Sequence, residues 1–273
     1  MQQSFSELGV PMRIVGLLAE RDIHTPFPIQ AHVLRDALAG RDILAKAPTG
    51  SGKTLSFAIP VVERLDVGDR RPSTLVLVPT RELASQVALE IASIAPSGIE
   101  VATVYGGVPI HAQAKRARNA HVVVATPGRL NDLLERKAIA LDAVRILVLD
   151  EADRMLDMGF KPQVDRIVRR LPSSRQTMFF SATLDSSVGE LARAYTSDPV
   201  RCEAAPILTE ESVEVEHRFI SEGEPVEDKI RTDEAGTAGD QDHRCCSSAC
   251  RRMLMAGRSR RTRSRRLGPL RDR

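Results

Sequence analysis

The sequence predicts an α/β fold, a mainly parallel β-sheet with helices on both faces. Three observations carry that expectation. Continuous apolar runs such as Thr74-Leu75-Val76-Leu77-Val78 and Ile146-Leu147-Val148-Leu149 suit strands buried on both sides. Between such runs lie segments whose apolar residues recur at helical spacing, the pattern of repeated strand-helix units. A Gly/Ser-rich turn at 47–54 joins one short apolar strand directly to a helix.

Taken in order, Ile14-Val15-Gly16-Leu17-Leu18 fits a first helix. The prolines of Thr25-Pro26-Phe27-Pro28 fix a turn that opens a second helix running through Leu38. Asp42-Ile43-Leu44-Ala45 has strand character, and Leu55 to Leu65 has helical spacing. After the strand 74–78 the alternation repeats: helix 82–95 and strand 100–104, helix 109–118 and strand 121–125, helix 129–136 and strand 144–149, helix 163–170 and strand 176–180. Five or six buried strands result. In sheets of this kind ligands collect at the carboxyl ends of the strands, where each unusual sequence described below is placed.

Composition bounds the rest. The 273 residues are 42% hydrophobic, enough for one large domain or two small ones. No run approaches the ~18 apolar residues of a membrane span, and Met1-Gln2-Gln3-Ser4-Phe5 has no basic segment followed by an apolar one, so no membrane partner and a cytoplasmic location are expected. Four cysteines give no disulfide framework for a chain of this size. His243, Cys245, Cys246 and Cys250 match no standard zinc spacing. Aromatic residues make up 3% with no Trp, which excludes a platform that stacks single-stranded bases. The net charge of +3 is uneven. Residues 231–273 hold twelve arginines against five acids, so the remainder of the chain is acidic by about four charges. That tail has no lysine, no strand-like run and no sustained periodicity, and it is expected to be disordered.

Two stretches carry chemistry. Ala47-Pro48-Thr49-Gly50-Ser51-Gly52-Lys53-Thr54 reads as a phosphate-binding loop. Its glycines allow a tight turn that points successive N–H groups inward, and the helix behind adds its positive end to the same anion site. Lys53 would reach the β- and γ-phosphates, and the Thr54 hydroxyl would ligate a bridging Mg²⁺. Ala47 stands where the strict motif has its first glycine, a position that needs a small residue. The second stretch, Asp150-Glu151-Ala152-Asp153, ends an apolar strand with adjacent carboxylates. Beside a phosphate loop such a pair divides its work, Asp150 holding the metal and Glu151 orienting or deprotonating the attacking water. The alternative is an acidic helix N-cap, which suits Asp and Glu equally well.

From residue 5 to about 230 the chain resembles the DEAD-box ATP-dependent RNA helicases. The family's segments occur in order: Phe5 and Ile29-Gln30, Ala47–Thr54, Pro79-Thr80-Arg81-Glu82-Leu83, Gly106-Gly107, Thr126-Pro127-Gly128-Arg129, Asp150–Asp153 and Ser181-Ala182-Thr183. The resemblance implies a RecA-like ATP-binding domain at 41–205 preceded by an adenine-reading segment at 1–40. Gln30 would read adenine, since its amide supplies both a donor and an acceptor. Asp22-Ile23 stands where the family commonly has glycine and an aromatic, so weaker stacking on the base is expected. The resemblance also implies that Thr80, Arg81, Gly107, Thr126, Gly128 and Arg129 contact the RNA sugar-phosphate backbone without regard to base identity. Ser181 and Thr183 would sit within reach of Asp153 and couple nucleotide state to RNA.

Residues 206–230 resemble the linker and the start of the family's second domain, including Val213 to Ile220 and Asp228-Lys229-Ile230. Beyond them no His-Arg-x-Gly-Arg-x-x-Arg segment occurs. A shifted reading frame in GC-rich coding sequence and a natural basic tail both account for the change near 230. Full unwinding is therefore not expected from this chain alone, and the competing reading is an RNA-binding module without significant ATP turnover. Deleting 231–273 is expected to lower non-specific RNA affinity. Engagement of five arginines would give a log-log salt slope of about −3.5 on single strands, and titration against salt should show that slope flatten in the deleted form.

Overall fold

A computed structural model describes residues 3–203, apart from Thr49, Asp185 and the side chain of Ser186. Seven strands form one sheet: β1 (Ile43–Lys46), β2 (Thr74–Leu77), β3 (Val101–Val104), β4 (Val122–Ala125), β5 (Ile146–Leu149), β6 (Gln176–Ser181) and β7 (Val200–Glu203). Their spatial order is β3-β4-β2-β5-β6-β1-β7, and every pairing is parallel. Helices α1 (Met12–Ala19), α2 (Pro28–Leu38), α3 (Lys53–Glu63) and α4 (Arg81–Ile94) cover one face. The other face carries α5 (Ile110–Asn119), α6 (Pro127–Glu135), α7 (Ala152–Asp157), α8 (Lys161–Val168) and α9 (Ser186–Tyr195).

The apolar runs become strands because each residue finds a core on whichever side the pleat turns it. Val76, Val124, Val148 and Phe180 enter the core under α1–α4, whereas Leu75, Leu77, Val123, Leu147 and Phe179 enter the core under α5–α9. The Phe57 and Phe180 rings meet at 5.3 Å between centroids, fixing α3 against β6.

The expected fold class holds, and each expected element is present with its ends displaced by one or two residues. Helix α6 starts at Pro127, two residues before its apolar period, and α8 likewise starts at Lys161-Pro162. In both, proline occupies the first turn, where its fixed φ suits the helix and its missing N–H is not needed. The α3 helix begins at Lys53, so the loop's Lys and Thr are its first residues. Helices α7 and α9 and strand β7 were not expected; α7 has six residues, too few to display a period. The tail 231–273, the linker at 206–230 and His243, Cys245, Cys246 and Cys250 lie outside the described residues. Among the described residues no helix is long and apolar enough to cross a membrane.

One buried carboxylate ties the β1 side of the sheet together. Asp42, 9% exposed, accepts from the Thr177 amide and from the Ser197 amide, each at 2.7 Å, so β6 and the α9–β7 connection are both fixed to the start of β1. Asp42→Ala removes the acceptor and leaves both amides without it. Unfolding in urea should show a loss of about 2–4 kcal/mol, with Asp42→Asn intermediate; an unchanged midpoint would contradict this anchoring role.

Candidate nucleotide and strand-end site

The phosphate loop leaves the carboxyl end of β1. The Ala47 amide donates to the Ser181 carbonyl at 2.9 Å, and the Ala47 methyl is fully buried, which accounts for the need for a small residue there. The Ser51 amide and hydroxyl both reach the Pro48 carbonyl, at 3.3 and 2.7 Å, closing the turn. Gly52 heads α3 with φ +78°, and a Cβ there would stand 2.6 Å from the Phe27 ring and 2.8 Å from Gln30 Nε2. Only glycine meets both demands. Thr49 lies outside the described residues, and Thr54 lines the cleft below the loop.

Gln30 is buried and fully engaged within the chain: its Oε1 accepts from the Phe27 amide at 2.9 Å, and its Nε2 donates to the Gly52 carbonyl at 2.8 Å. Phe27, at the N-cap of α2, has no capping oxygen. The glutamine side chain takes the Phe27 amide and joins the N-terminal segment to the phosphate loop. Ile23 packs against the core formed with α1–α4.

Across the cleft, β5 delivers Asp150 and Glu151. Lys53 and Asp150 are 6% and 2% exposed, and Lys53 Nζ is a buried atom with no hydrogen-bond partner among the described residues. Burial pushes the Asp150 carboxyl up to about 6; the Lys53 charge pulls it back and the Glu151 charge adds to the rise. The Glu151 backbone is left-handed, φ +54°, an unusual state for a residue other than glycine, and its amide donates to Asp150 Oδ1 at 3.0 Å. Glu151 occupies the N-cap of α7, yet its carboxylate makes no capping bond and instead accepts from Arg154 Nη1 at 3.2 Å. Helix capping therefore does not explain why an acid stands there. With Gly50, Gly52 and Thr54, these groups line a cleft of about 550 Å³.

On the neighbouring strand β6, the Ser181 hydroxyl accepts from the Asp153 amide at 3.3 Å. In return Asp153 Oδ2 accepts from the Ala182 and Thr183 amides at 3.0 and 3.2 Å. Ser181 and Thr183 are thus joined to Asp153 as the sequence implied, with Thr183 contributing its backbone amide.

Three further loops meet at the carboxyl ends of β2, β4 and β3. The Thr80 hydroxyl caps α4 by accepting from the Leu83 amide at 3.2 Å, and Arg81 is exposed beside Glu82. Gly107, φ +87°, passes close to the Arg81 guanidinium, which lies 3.5 Å from where a Cβ would be. Thr126 heads α6, whose first turn contains Pro127 and Gly128. Arg129 turns inward, donating to the Val108 carbonyl at 2.8 Å and to Gln113 Oε1 at 2.9 Å, so its guanidinium holds the 106–109 loop in place. The structure brings Arg81, Gly107 and Arg129 into one cluster and sets Thr80 on the border with the Lys53 cleft.

Sequence reading missed Glu82, Leu83, Gln86 and Arg154 as lining of that cleft. Arg154 had a legible signal, its i+3 spacing from Glu151 on a helix that starts after the acidic pair. Gln86 had none, because α4 brings it to the cleft only once the strands are ordered.

The model of the DEAD/DEAH box helicase family matches residues 27–191. Zea mays DEAD-box ATP-dependent RNA helicase 3A, chloroplastic, is 46% identical over 206 residues, covering 72% of this chain and 28% of the relative. Arabidopsis thaliana DEAD-box ATP-dependent RNA helicase 9, mitochondrial, is 42% identical over 204 residues, covering 72% and 33%. The chain thus spans about a third or less of the length of these relatives. Among solved structures, a DEAD box protein from the hyperthermophile Methanococcus jannaschii superposes with a TM-score of 0.72 at 37% identity, covering 75% of this chain and 57% of that one. With the RecA-like sheet, the phosphate loop and the Asp-Glu-Ala-Asp strand end in place, this chain belongs to the DEAD/DEAH box helicase family.

Proposed function

We propose that the described domain is the ATP-binding half of an ATP-dependent RNA helicase: it binds ATP in the Lys53 cleft, activates water with Glu151, and grips RNA along the strand-end loops of β2, β3 and β4. The observation that carries this reading is the buried Lys53 ammonium without a partner. A buried cation left unpaired is unfavourable by several kcal/mol, and a polyphosphate supplies the missing acceptors. The first-turn amides of α3 lack intrahelical acceptors and aim at the same space.

In this reading residues 1–40 read adenine and 41–205 hold the phosphates, with Ala47 to Thr54 forming the cradle. Gln30 exchanges its bonds to Phe27 and Gly52 for the adenine edge, so base recognition and loop release are one event. Thr54 and Asp150 would hold Mg²⁺, which when bound neutralises charge on the β- and γ-phosphates. The donor set fits that ion: a hydroxyl and a carboxylate, both hard oxygen ligands, face one cleft. Glu151, held by Arg154, accepts the proton of the attacking water. Asp153, Ser181 and the Thr183 amide transmit the state of the acidic strand end to β6. Thr80, Arg81, Gly107, Thr126, Gly128 and Arg129 hold the RNA backbone, Arg129 by fixing the 106–109 loop and Arg81 by direct charge.

Lys53→Ala should abolish nucleotide binding in calorimetry. Glu151→Gln should keep binding and lower hydrolysis by about 10²–10⁴-fold, the usual worth of a positioned base, and Asp150→Asn should raise the Mg²⁺ requirement. Unchanged Mg-ATP affinity in both Lys53→Ala and Asp150→Asn would overturn the assignment.

The Asp150 carboxyl also predicts a pH effect on the ligand-free chain. Its folded-state value, about 6, lies above the ordinary aspartate value of 3.8. The native state therefore binds the extra proton between roughly pH 4 and 6, and this group's contribution to stability falls as pH rises through that window, by up to about 3 kcal/mol. Denaturation across that range should show the decline in the parent and a flatter profile in Asp150→Asn; parallel profiles would count against it.

A further inference from the structure

The end of the sheet opposite the Lys53 cleft carries a concentration of positive charge. Three adjoining cavities of about 560, 740 and 450 Å³ lie where the amino ends of β2, β3, β4 and β5 meet the length of α5 and the last turn of α6. Arg71, Lys115, Arg116, Arg118, Arg136 and Lys137 line them, all exposed. Arg118 and Lys137 border the first and third cavities, Lys115 the first and second, and Arg71 the second and third, so the surface is continuous. Arg170 extends it toward the start of β6.

These cations are not neutralised. Glu100 is the only acid in the three linings, and among the described residues none of the seven takes part in an ion pair. Arg71 is further fixed by donating to the Asn119 carbonyl at 2.9 Å, which pins the strand approach to the end of α5. Cations near a helix C-terminus are ordinary, and the dipoles of α5 and α6 account for one or two each. Seven converging from four segments exceed that, in a chain whose first 230 residues are acidic by about four charges. The linings contain no Phe, Tyr or Trp, so the surface offers charge and hydrogen-bond donors without a stacking face.

We propose that this surface is a second RNA-backbone site, on the opposite end of the sheet from the strand-end loops, binding phosphates without regard to sequence and independently of nucleotide. The inference rests on RNA being this domain's substrate. It places a second contact point where a strand can remain held while the loops at the carboxyl ends release it. An acidic polypeptide is the rival occupant, but a surface of donors spread over three adjoining cavities, with no aromatic side chain in the linings, suits a regularly charged backbone better than a folded partner.

The test uses the full chain, with its tail unchanged, and a labelled single-stranded RNA followed by fluorescence anisotropy over a salt series. Arg118→Glu with Lys137→Glu should weaken RNA binding by at least about tenfold at low salt and reduce the log-log slope by about 1.4, the loss of two phosphate contacts. The exposed side chains make folding of the variant straightforward to verify by thermal melting, and Arg118→Gln with Lys137→Gln should give an intermediate loss. Nucleotide affinity, measured separately, should not change in either. The inference is overturned if the reversal leaves affinity and slope as in the parent, or if Arg13→Glu with Arg201→Glu, away from these cavities, gives an equal loss. It is also overturned if polyglutamate at equal charge displaces RNA from the parent and fails to bind the reversed variant, which would assign the surface to acidic protein. Failure here leaves the Lys53 and Asp150 results standing, whereas failure of those results leaves this salt series readable on its own.

Discussion

An ammonium enclosed without an acceptor, beside a carboxyl enclosed almost as completely, sets the terms on which the rest of this domain is arranged. Removing either charge from water is unfavourable by several kcal/mol, and mutual attraction between Lys53 and Asp150 offsets only part of that, as the upward displacement of the Asp150 carboxyl shows. The remainder has to come from the frame. Strands β1 and β5 are apolar up to the residue at which they emerge, as is β6 over Met178–Phe180, and Phe57 against Phe180 locks the helix carrying Lys53 to the sheet. A rigid core thus holds two buried charges, with Lys53 Nζ unpaired among the described residues. Electrostatic preorganisation of this kind is what a phosphoryl-transfer site requires, because the groups need not move when charge develops.

The same constraint orders the loops. Because every strand runs parallel, all seven carboxyl ends face one way, and the strand order decides which loops become neighbours. The residues that line the Lys53 cleft leave mainly β1 and β5, with β6 between them. The Arg81, Gly107 and Arg129 cluster leaves β2, β3 and β4 on the other side. Strand β2 lies between β4 and β5, and Thr80 at its end borders both groups. The cross-strand bonds from Asp153 to the Ala182 and Thr183 amides link the acidic strand end to β6, and β6 in turn accepts the Ala47 amide of the phosphate loop. Hydrogen bonds thus join the phosphate loop and the acidic strand end to the Ser181-Ala182-Thr183 segment.

Much of this was legible in the residues, and the exceptions have physical causes. Runs such as Val122-Val123-Val124 can only be strands buried on both faces, so the fold class followed from them. The glycines of the phosphate loop and the acidic pair after β5 are local requirements that show in order along the chain. Helix starts lagged at Pro127 and Lys161 because apolar periodicity begins after the first turn. Gln30 looked like a free amide reader of a base, yet in the folded chain both ends of that amide are occupied, by Phe27 and Gly52. Arg129 looked like a free guanidinium and is instead bonded to Val108 and Gln113. Both depend on which side chains arrive within 3 Å of one another, and that information is not local.

By itself the sequence determined the α/β class, the phosphate loop with Lys53 and Thr54, the acidic strand end with Asp150 and Glu151, and membership in the family, because each rests on residues close together or on a fixed order of motifs. Only the tertiary structure decided that Lys53 Nζ has no hydrogen-bond partner among the described residues, that Glu151 does not cap its helix, and that Arg81 and Arg129 share one cluster. Only the fold, too, gathered Arg71, Lys115, Arg118 and Lys137 at the amino end of the sheet. These residues are separated by up to 66 positions in sequence. Their proximity is set by the crossing of parallel strands, a property of the whole sheet that no single segment encodes.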